Sequence, residues 1–453
     1  MNRPDTSSAR LATIVTLIVA GEMIFALPFH TARYFRVTLL DAFGFTNTLL
    51  GDLFAAYGVV AFLSYFPGGA LADRFPARGL LTASLLATAA GGVVMATVPG
   101  AAGMGVVYAF WGFSTILLFW GALIRATREW GGTGTQGTAF GLLEGGRGLV
   151  AALAALLMAH IFAASMPEVV ETATDAERRA ALSRVILAYS ALTALTGVAA
   201  WLLIPRGHGP GESGASPLAG MRAVLSRPVV WAQAGVVACA YCGFKGLDNY
   251  ALYVNEVLGM DEVEAAFFST WGAFLRPVAA IAAGLLADRY SAKSAISGAF
   301  LAMLAACGAL SLFAPAAQPV WAIVAMLFVS YGGVFALRGV YFALLEENET
   351  PRRVTGAAVG LVSLVGFTPE IFFAPITGRI LDANPGLTGF QHYFLFLAAV
   401  AAAGLLLTAT VVYLHRPGAP PLWPRPANAM HGASVAPNSA RIRARGEGSG
   451  DSR

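Results

Sequence analysis

Apolar residues fill most of this chain in long runs, and short polar or glycine-rich segments separate the runs. A helix needs about 20 apolar residues to cross a hydrocarbon core of ~30 Å. Twelve runs satisfy that requirement, so the pattern predicts twelve transmembrane helices, at residues 11–31, 48–72, 80–98, 104–125, 137–164, 183–204, 229–254, 262–287, 294–313, 319–345, 354–381 and 392–415. No stretch of about ten residues alternates between apolar and polar positions, which argues against an outer-membrane β-barrel.

A short phrase of the form Gly-x-Leu-Ala-Asp-Arg occurs twice. Gly69 to Arg74 ends the second apolar run, and Gly284 to Arg289 ends the eighth, 215 residues later. That offset is close to half of the 453 residues, and two related hydrophobic halves are typical of secondary transporters. The predicted fold is therefore an all-α integral membrane protein, whose twelve helices form two pseudo-symmetric six-helix bundles.

Composition and charge support a membrane location. Hydrophobic residues make up 57% of the chain and charged residues 12%, whereas soluble domains are about a quarter charged. Basic residues collect where the even-numbered helices end, while loops 99–103, 255–264 and 314–319 contain no Lys or Arg. By the positive-inside rule, both termini are predicted to be cytoplasmic, in a bacterial-type inner or plasma membrane. These loops and the tail account for the net charge of +4, so no nucleic-acid partner is indicated.

The same pattern divides the chain into five segments. A cytoplasmic N-terminus at 1–10 precedes an N-terminal bundle at 11–204, a glycine-rich cytoplasmic linker at 205–228 and a C-terminal bundle at 229–415. Residues 416–453 are rich in Pro, Ser, Gly and Arg, a composition that predicts a disordered cytoplasmic tail. We expect neither the linker nor the tail to carry chemistry.

The repeated phrase and the twelve helices resemble the major facilitator superfamily over roughly residues 10–415. The family pattern is G-x-x-x-D-R-x-G-R-R, and Pro76-Ala77 and Ser291-Ala292 replace two of its positions here. A glycine lets helices approach closely, and the Asp is placed to accept hydrogen bonds from backbone N–H groups of the next helix. In the family this loop helps to lock one access state. The resemblance therefore assigns to gating the residues Gly69, Asp73, Arg74, Arg78, Gly284, Asp288, Arg289 and Lys293.

Ionisable residues at membrane depth are the candidates for the substrate site, because a charge there costs about 2.5–3.5 kcal/mol on insertion scales. The candidates for substrate binding are Arg147, Lys245, Arg276 and Arg338. The candidates for proton coupling or charge pairing are Glu22, Glu144, Asp248 and Glu370. Arg276 and Arg338 have no acid at helical spacing nearby, so they are the sharper anion-binding candidates. Glu22 and Glu370 either carry a proton or pair with an arginine of another helix.

Some of these residues have a structural alternative. Glu144 with Arg147, and Lys245 with Asp248, have the i,i+3 spacing of one helix face and can neutralise each other. Two arginines near the end of the first helix, Arg33 and Arg36, are expected to lie either inside the bundle or beyond the bilayer, and the sequence leaves both positions open. The excess of cations over acids at membrane depth favours an anionic solute.

A finer resemblance concerns the branch of the superfamily. Arg125 to Trp130, followed by a glycine-rich turn, is similar to the end of helix 4 in sugar-phosphate and organophosphate permeases. Family drug/proton antiporters show G-x-x-x-G-P-x-x-G-G in helix 5. Gly141 and Gly145 match that motif, but Gly146 replaces its proline. The resemblance favours the permease-like branch over the exporters.

These features predict a secondary active transporter that works by alternating access. The predicted substrate is a small organic anion, such as a phosphorylated or carboxylated metabolite, moved by proton symport or anion exchange. The alternatives are proton-driven export of hydrophobic compounds and, more remotely, a solute sensor that does not transport. No nucleophile–base pair, metal-ligand spacing or phosphate-binding loop occurs in the sequence, so we expect no enzyme, cofactor or metal. The expected partners are the solute, protons and the lipid bilayer, with the chain as a monomer.

Overall fold

The computed structural model describes residues 7–132, 135–206, 222–313, 319–348, 350 and 354–416. The first six residues, most of the predicted linker and nearly all of the predicted tail lie outside the described residues. The helices are α1 (Ser7–Tyr34), α2 (Asn47–Arg74), α3 (Ala77–Ala96), α4 (Ala101–Gly131), α5 (Gln136–Ala163), α6 (Asp175–Leu203), α7 (Pro228–Gly246, continued by Leu247–Asn249 and Tyr250–Glu256), α8 (Glu262–Arg289), α9 (Ala292–Leu312), α10 (Val320–Val340), α11 (Thr355–Gly366 and Pro369–Ala383) and α12 (Leu387–Leu414). Each of the twelve predicted windows coincides with one helix, which confirms the predicted helix count.

Eleven helices in the described part of the chain are individually long and apolar enough to cross a membrane. The remaining one, α7, is interrupted by a 3-10 turn at Leu247–Asn249. The first helix of the other half, α1, is also irregular, with a π-helical turn at Ala26–His30 that contains Pro28. Such π turns are frequent at functional sites. Both irregular turns adjoin buried charged residues, Arg33 on α1 and Lys245 on α7.

Helices α1–α6 pack as one bundle and α7–α12 as the other, with matching internal contacts. In the first bundle α3 packs on α6 and α1 on α5; in the second α9 packs on α12 and α7 on α11. The two bundles therefore repeat the same arrangement of helices. We call the end of the molecule that carries Asp73 and Asp288 the D-R end. The two bundles contact each other mainly through α2 with α11 and α5 with α8.

Glycines bring α2 and α11 close together at the end opposite to the D-R end. A Cβ on Gly51 would lie 2.4 Å from the carbonyl oxygen of Ala374, and one on Gly58 would lie 2.7 Å from the carbonyl oxygen of Glu370. Further along α2, a Cβ on Gly69 would meet no described atom within 4 Å. The two helices thus diverge toward the D-R end, and the space between the bundles narrows toward the opposite end.

Candidate functional site

Glu22 on α1 is the centre of the first cluster of charges between the bundles. Its side chain is 4% exposed. Oε2 accepts a hydrogen bond from Nε of Arg147 at 3.1 Å, and Oε1 accepts one from Nη1 of Arg276 at 3.1 Å. Nε2 of His30 lies 3.3 Å from Oε1. Arg147 also donates from Nη1 to Oε1 of Glu144 at 2.7 Å. Because Arg276 belongs to α8, the Glu22 carboxylate joins the two bundles.

Lys245 on α7 is the centre of the second cluster. Its Nζ lies 3.1 Å from Oδ2 of Asp248 and 3.1 Å from Oε1 of Glu370. The hydroxyl of Tyr241 donates to the other oxygen of Glu370. Nε of Arg33 donates to Oδ1 of Asp248 at 2.6 Å. Arg33 and Asp248 are 215 residues apart, the offset of the repeat, so this ion pair joins equivalent positions of the two halves.

Arg338 on α10 has a different environment from the other cations. Its Cζ lies 3.9 Å from the centre of the Phe244 ring, and the Cζ of Arg33 lies 4.3 Å from the same centre. Its Nη1 is buried and has no hydrogen-bond partner in the described residues. Nor does it form an ion pair with any carboxylate in those parts of the chain. Arg338 is therefore a cation held by an aromatic ring rather than by an acid.

Aromatic rings surround both clusters. Nζ of Lys245 lies 4.2 Å from the centre of the Phe29 ring, and Cζ of Arg147 lies 5.8 Å from the centres of Phe25 and Trp120. A cation over an aromatic face gains about 0.5–2 kcal/mol, more when water is excluded. The rings thus help to hold these charges in an apolar setting, and they offer apolar contact to a solute.

The structure brings the eight predicted residues of the substrate site together between the bundles. The two predicted i,i+3 pairs form, and each has a further partner from another helix. Arg33 and Arg36 are buried inside the protein rather than exposed beyond the bilayer. In the described residues, no group of three or more His, Cys, Asp or Glu side chains is arranged to hold a metal ion. The roles of the eight residues in binding and coupling stay predictions.

A polar cluster at the end opposite to the D-R end was missed by the sequence reasoning. Oδ1 of Asp382 on α11 accepts from the backbone N and from Nδ2 of Asn47, each at 3.1 Å, and its Oδ2 accepts from the backbone N of Thr48 at 2.7 Å. Arg36 donates to Oδ1 of Asn47 from Nη2 at 2.9 Å. Asp382 therefore caps the start of α2 from the other bundle. The sequence signals only that a helix begins near Thr46, not which distant carboxylate meets it.

The expected hydrogen bonds of the two motif aspartates to the following helices are wrong for this structure. Asp73 and Asp288 are exposed, and among the described residues neither accepts a hydrogen bond from the helix that follows it. Helix α3 follows Pro76 without a side-chain cap, and α9 is capped by Ser291, whose Oγ accepts from a backbone N at 3.0 Å. Because Ser291 is nearer to the helix start, it takes the place expected of Asp288. Nη1 of Arg125 instead ties α4 to a carbonyl in the last turn of α2 at 2.7 Å. The gating role of the motif stays a prediction.

Comparison with known proteins gives the family. The sequence profile of the Major Facilitator Superfamily matches residues 11–373. The chain belongs to this superfamily. It is accordingly an integral membrane transporter and not an enzyme. This facilitator is similar to inner membrane protein YqcE of Escherichia coli (strain K12), with 26% identity over 426 residues that cover 90% of this chain and 96% of that protein. Inner membrane protein YihN of the same organism is 25% identical over 408 residues, covering 87% and 94%.

Three further comparisons concern part of the sequence or the fold. Monocarboxylate transporter 2 of Rattus norvegicus is 27% identical over 156 residues, which cover 34% of this facilitator and 30% of that protein. The structure of a mutant nucleoside transporter NupG has a TM-score of 0.69 at 15% identity, covering 90% of this chain and 100% of that chain. A bacterial homolog of the human lysosomal transporter Spinster, inward-facing and unoccupied, has a TM-score of 0.68 at 14% identity, covering 92% and 100%. At these identities the solved structures show the fold alone.

Proposed function

We propose that this facilitator moves a small organic anion, such as a phosphorylated or carboxylated metabolite, by proton symport or anion exchange. Arg338 is the observation that carries this proposal. In the described residues, Arg33, Arg147, Lys245 and Arg276 each form an ion pair with Glu22, Glu144, Asp248 or Glu370, whereas Arg338 forms none. Arg36 also lacks a carboxylate partner there, but it donates to the side chain of Asn47, whereas Arg338 contacts only an aromatic ring in the same residues. An uncompensated charge at membrane depth costs about 2.5–3.5 kcal/mol. An anionic solute at Arg338 removes that cost.

The partial likeness to monocarboxylate transporter 2 supports a carboxylate as the anionic group. Protons are the proposed coupling ion, with Glu22 or Glu370 as carrier. Glu22 contacts basic side chains from three helices, and Glu370 on α11 contacts Lys245 of α7, so the surroundings of each carboxylate change when the helices move. If exchange of anions drives transport instead, replacing both glutamates will leave counterflow intact.

Alternating access is proposed from the contacts between the bundles. They touch at the end opposite to the D-R end and diverge toward the D-R end. The basic residues beside Asp73 and Asp288 favour a cytoplasmic D-R end by the positive-inside rule, with both termini on that side. In that orientation, the divergence of the helices supports an inward-open state, and we propose that the transporter acts as a monomer.

Export of hydrophobic compounds is the competing function, and the aromatic rings around Lys245 and Arg147 favour it. Transport assays in proteoliposomes distinguish the two. The sign of a substrate-dependent change in lumenal pH reverses between proton symport and proton antiport. A change of the antiport sign with lipophilic compounds, and none with anions, would replace the anion proposal by the exporter.

Thermal stability of the detergent-purified protein is the first test. The panel contains carboxylates, sugar phosphates, nucleosides, neutral sugars and lipophilic cations, and a ligand at about 100 times its Kd stabilises by roughly 2.7 kcal/mol. We expect stabilisation by a carboxylate or a phosphate ester, and its loss in Arg338→Gln. The matched control is Arg184→Gln, which removes an exposed arginine of α6. Stabilisation by neutral or cationic compounds only, and to the same extent in Arg338→Gln, would contradict the anion proposal.

A further inference from the structure

The bond between Glu22 and Arg276 differs from the other ion pairs of the first cluster. Arg147 contacts two carboxylates, Glu22 and Glu144, whereas Arg276 contacts Glu22 alone in the described residues. Glu22 itself has two other partners on its own bundle, Arg147 at 3.1 Å and His30 at 3.3 Å. Breaking the Glu22–Arg276 bond therefore leaves the carboxylate compensated, and it leaves the guanidinium of Arg276 without an anion.

The path of the Arg276 side chain reinforces this asymmetry. Arg276 starts on α8 and passes along Gly148 of α5, where an added Cβ would lie 3.2 Å from its Cγ. It then reaches Glu22 on α1, so three helices and both bundles define its position. The side chain is 11% exposed, which leaves it close to the space between the bundles. A carboxylate or phosphate that entered this space would meet Arg276 where the Glu22 oxygen lies.

We propose that Glu22 is an internal competitor for the transported anion, and this inference rests on the proposed anion transport. In the empty site Glu22 neutralises Arg276, so the buried guanidinium does not carry the cost of an unpaired charge. An anionic group of the solute takes the place of Glu22 at Arg276, and Glu22 stays with Arg147 and His30. The apparent dissociation constant for the anion is then the intrinsic one divided by the fraction of time that Arg276 is free of Glu22, as for any site that must first be vacated.

The competition predicts that removal of an acid tightens anion binding. We expect Glu22→Gln to lower the apparent dissociation constant about tenfold for pyruvate or glycerol 3-phosphate, measured from the ligand dependence of the melting temperature. Glu22→Asp keeps the charge near Arg147 but withdraws the carboxylate by one methylene, so it guards against a failure to fold and is expected to tighten binding less. The matched control is Glu129→Gln, which removes a carboxylate from Arg125 on α4 and leaves the contacts of Arg276 described above in place, and we expect its dissociation constant to stay within about twofold of wild type.

The outcomes separate this inference from the proposed function. Tighter binding in Glu22→Gln or Glu22→Asp but not in Glu129→Gln supports the competition. Binding to wild type that requires Arg338, with equal or weaker binding in both Glu22 variants, overturns the competition and leaves anion transport standing. Failure of both probes to stabilise wild type and every variant overturns the inference together with the transport of carboxylates and phosphate esters.

Discussion

At the scale of single residues, the buried charges between the bundles differ in how many partners they have. Asp248 contacts two cations, Arg33 from the other bundle and Lys245 from its own helix. Arg33, by contrast, has only Asp248 as an acidic partner in the described residues. Removing one member of a buried pair is costly chiefly because of the charge that stays behind. We therefore expect the loss of Arg33 and the loss of Asp248 to lower the free energy of unfolding by different amounts.

Asp248→Asn is expected to destabilise the protein more than Arg33→Gln. The first change leaves Arg33 without a carboxylate and should cost about 3–5 kcal/mol of unfolding free energy. The second leaves Asp248 paired with Lys245, so the loss should be nearer about 1.5–3 kcal/mol, the range of one hydrogen bond to a charged group. The melting temperatures of the two purified variants without ligand test the order. Equal losses, or a larger loss in Arg33→Gln, would contradict this account of the pair.

At the scale of the helices, the contact between α2 and α11 depends on glycines at particular positions. A side chain on Gly58 would meet backbone atoms of the neighbouring helix, while one on Gly69 has open space in the described structure. The two residues are 11 positions apart, about three turns of the same helix, and so lie on one face of α2. The difference therefore reflects the distance from that face to α11. Glycine is therefore required at position 58, whereas position 69 has room for a side chain.

Gly58→Ala and Gly69→Ala are therefore expected to shift stability in opposite directions. The methyl group at position 58 forces α2 away from α11, and overpacking of this kind costs about 1–3 kcal/mol. At position 69 alanine replaces a flexible residue in a helix and should stabilise by about 0.5–1 kcal/mol. Melting temperatures, with transport rates in proteoliposomes beside them, provide the measurement. A stabilised Gly58→Ala variant would mean that the helices are not in close contact there.

At the scale of the whole molecule, the bundles are joined at one end by polar contacts that no single bundle contains. Asp382 caps the start of α2, and Asp52 on α2 meets Arg379 on α11 at 2.9 Å. The two contacts differ in exposure. The Asp52 and Arg379 side chains are 47% and 56% exposed, and exposed ion pairs contribute about 0–1 kcal/mol. The cap by Asp382 is the contact expected to hold this end closed.

Asp382→Asn is expected to open the end opposite to the D-R end more often. Charge-assisted hydrogen bonds contribute about 1.5–3 kcal/mol each, and a loss of 1.4 kcal/mol changes the ratio of two states about tenfold. Thr31 is fully buried in α1 near that end. In a variant without native cysteines, a Thr31→Cys thiol should react about tenfold faster with a maleimide added from that side when Asp382→Asn is present. Asp52→Asn is the control and should change the rate less than about threefold; an equal effect of both changes would contradict the assignment.

Much of the fold could be predicted because membrane helices are specified locally. The twelve apolar runs and the repeated phrase at Gly69 and Gly284 require no knowledge of distant contacts. The eight polar candidates were also found from sequence, since an ionisable residue in an apolar helix is conspicuous wherever it lies. The partners of these residues were harder to predict, because only the i,i+3 pairs, such as Glu144 with Arg147, follow from helical spacing.

The sequence by itself determined the number of helices, the two halves and the residues whose charge must be compensated, because hydrophobicity and helical period act within about 20 residues. Only the tertiary structure decided which charges meet. Glu22 reaches Arg276 across 254 residues, and Asp382 reaches Asn47 across 335. These pairs depend on how helices of different bundles cross, and no local pattern records that geometry. The same crossings leave Arg338 without a carboxylate partner in the described structure. The proposed anion site is based on this unpaired charge.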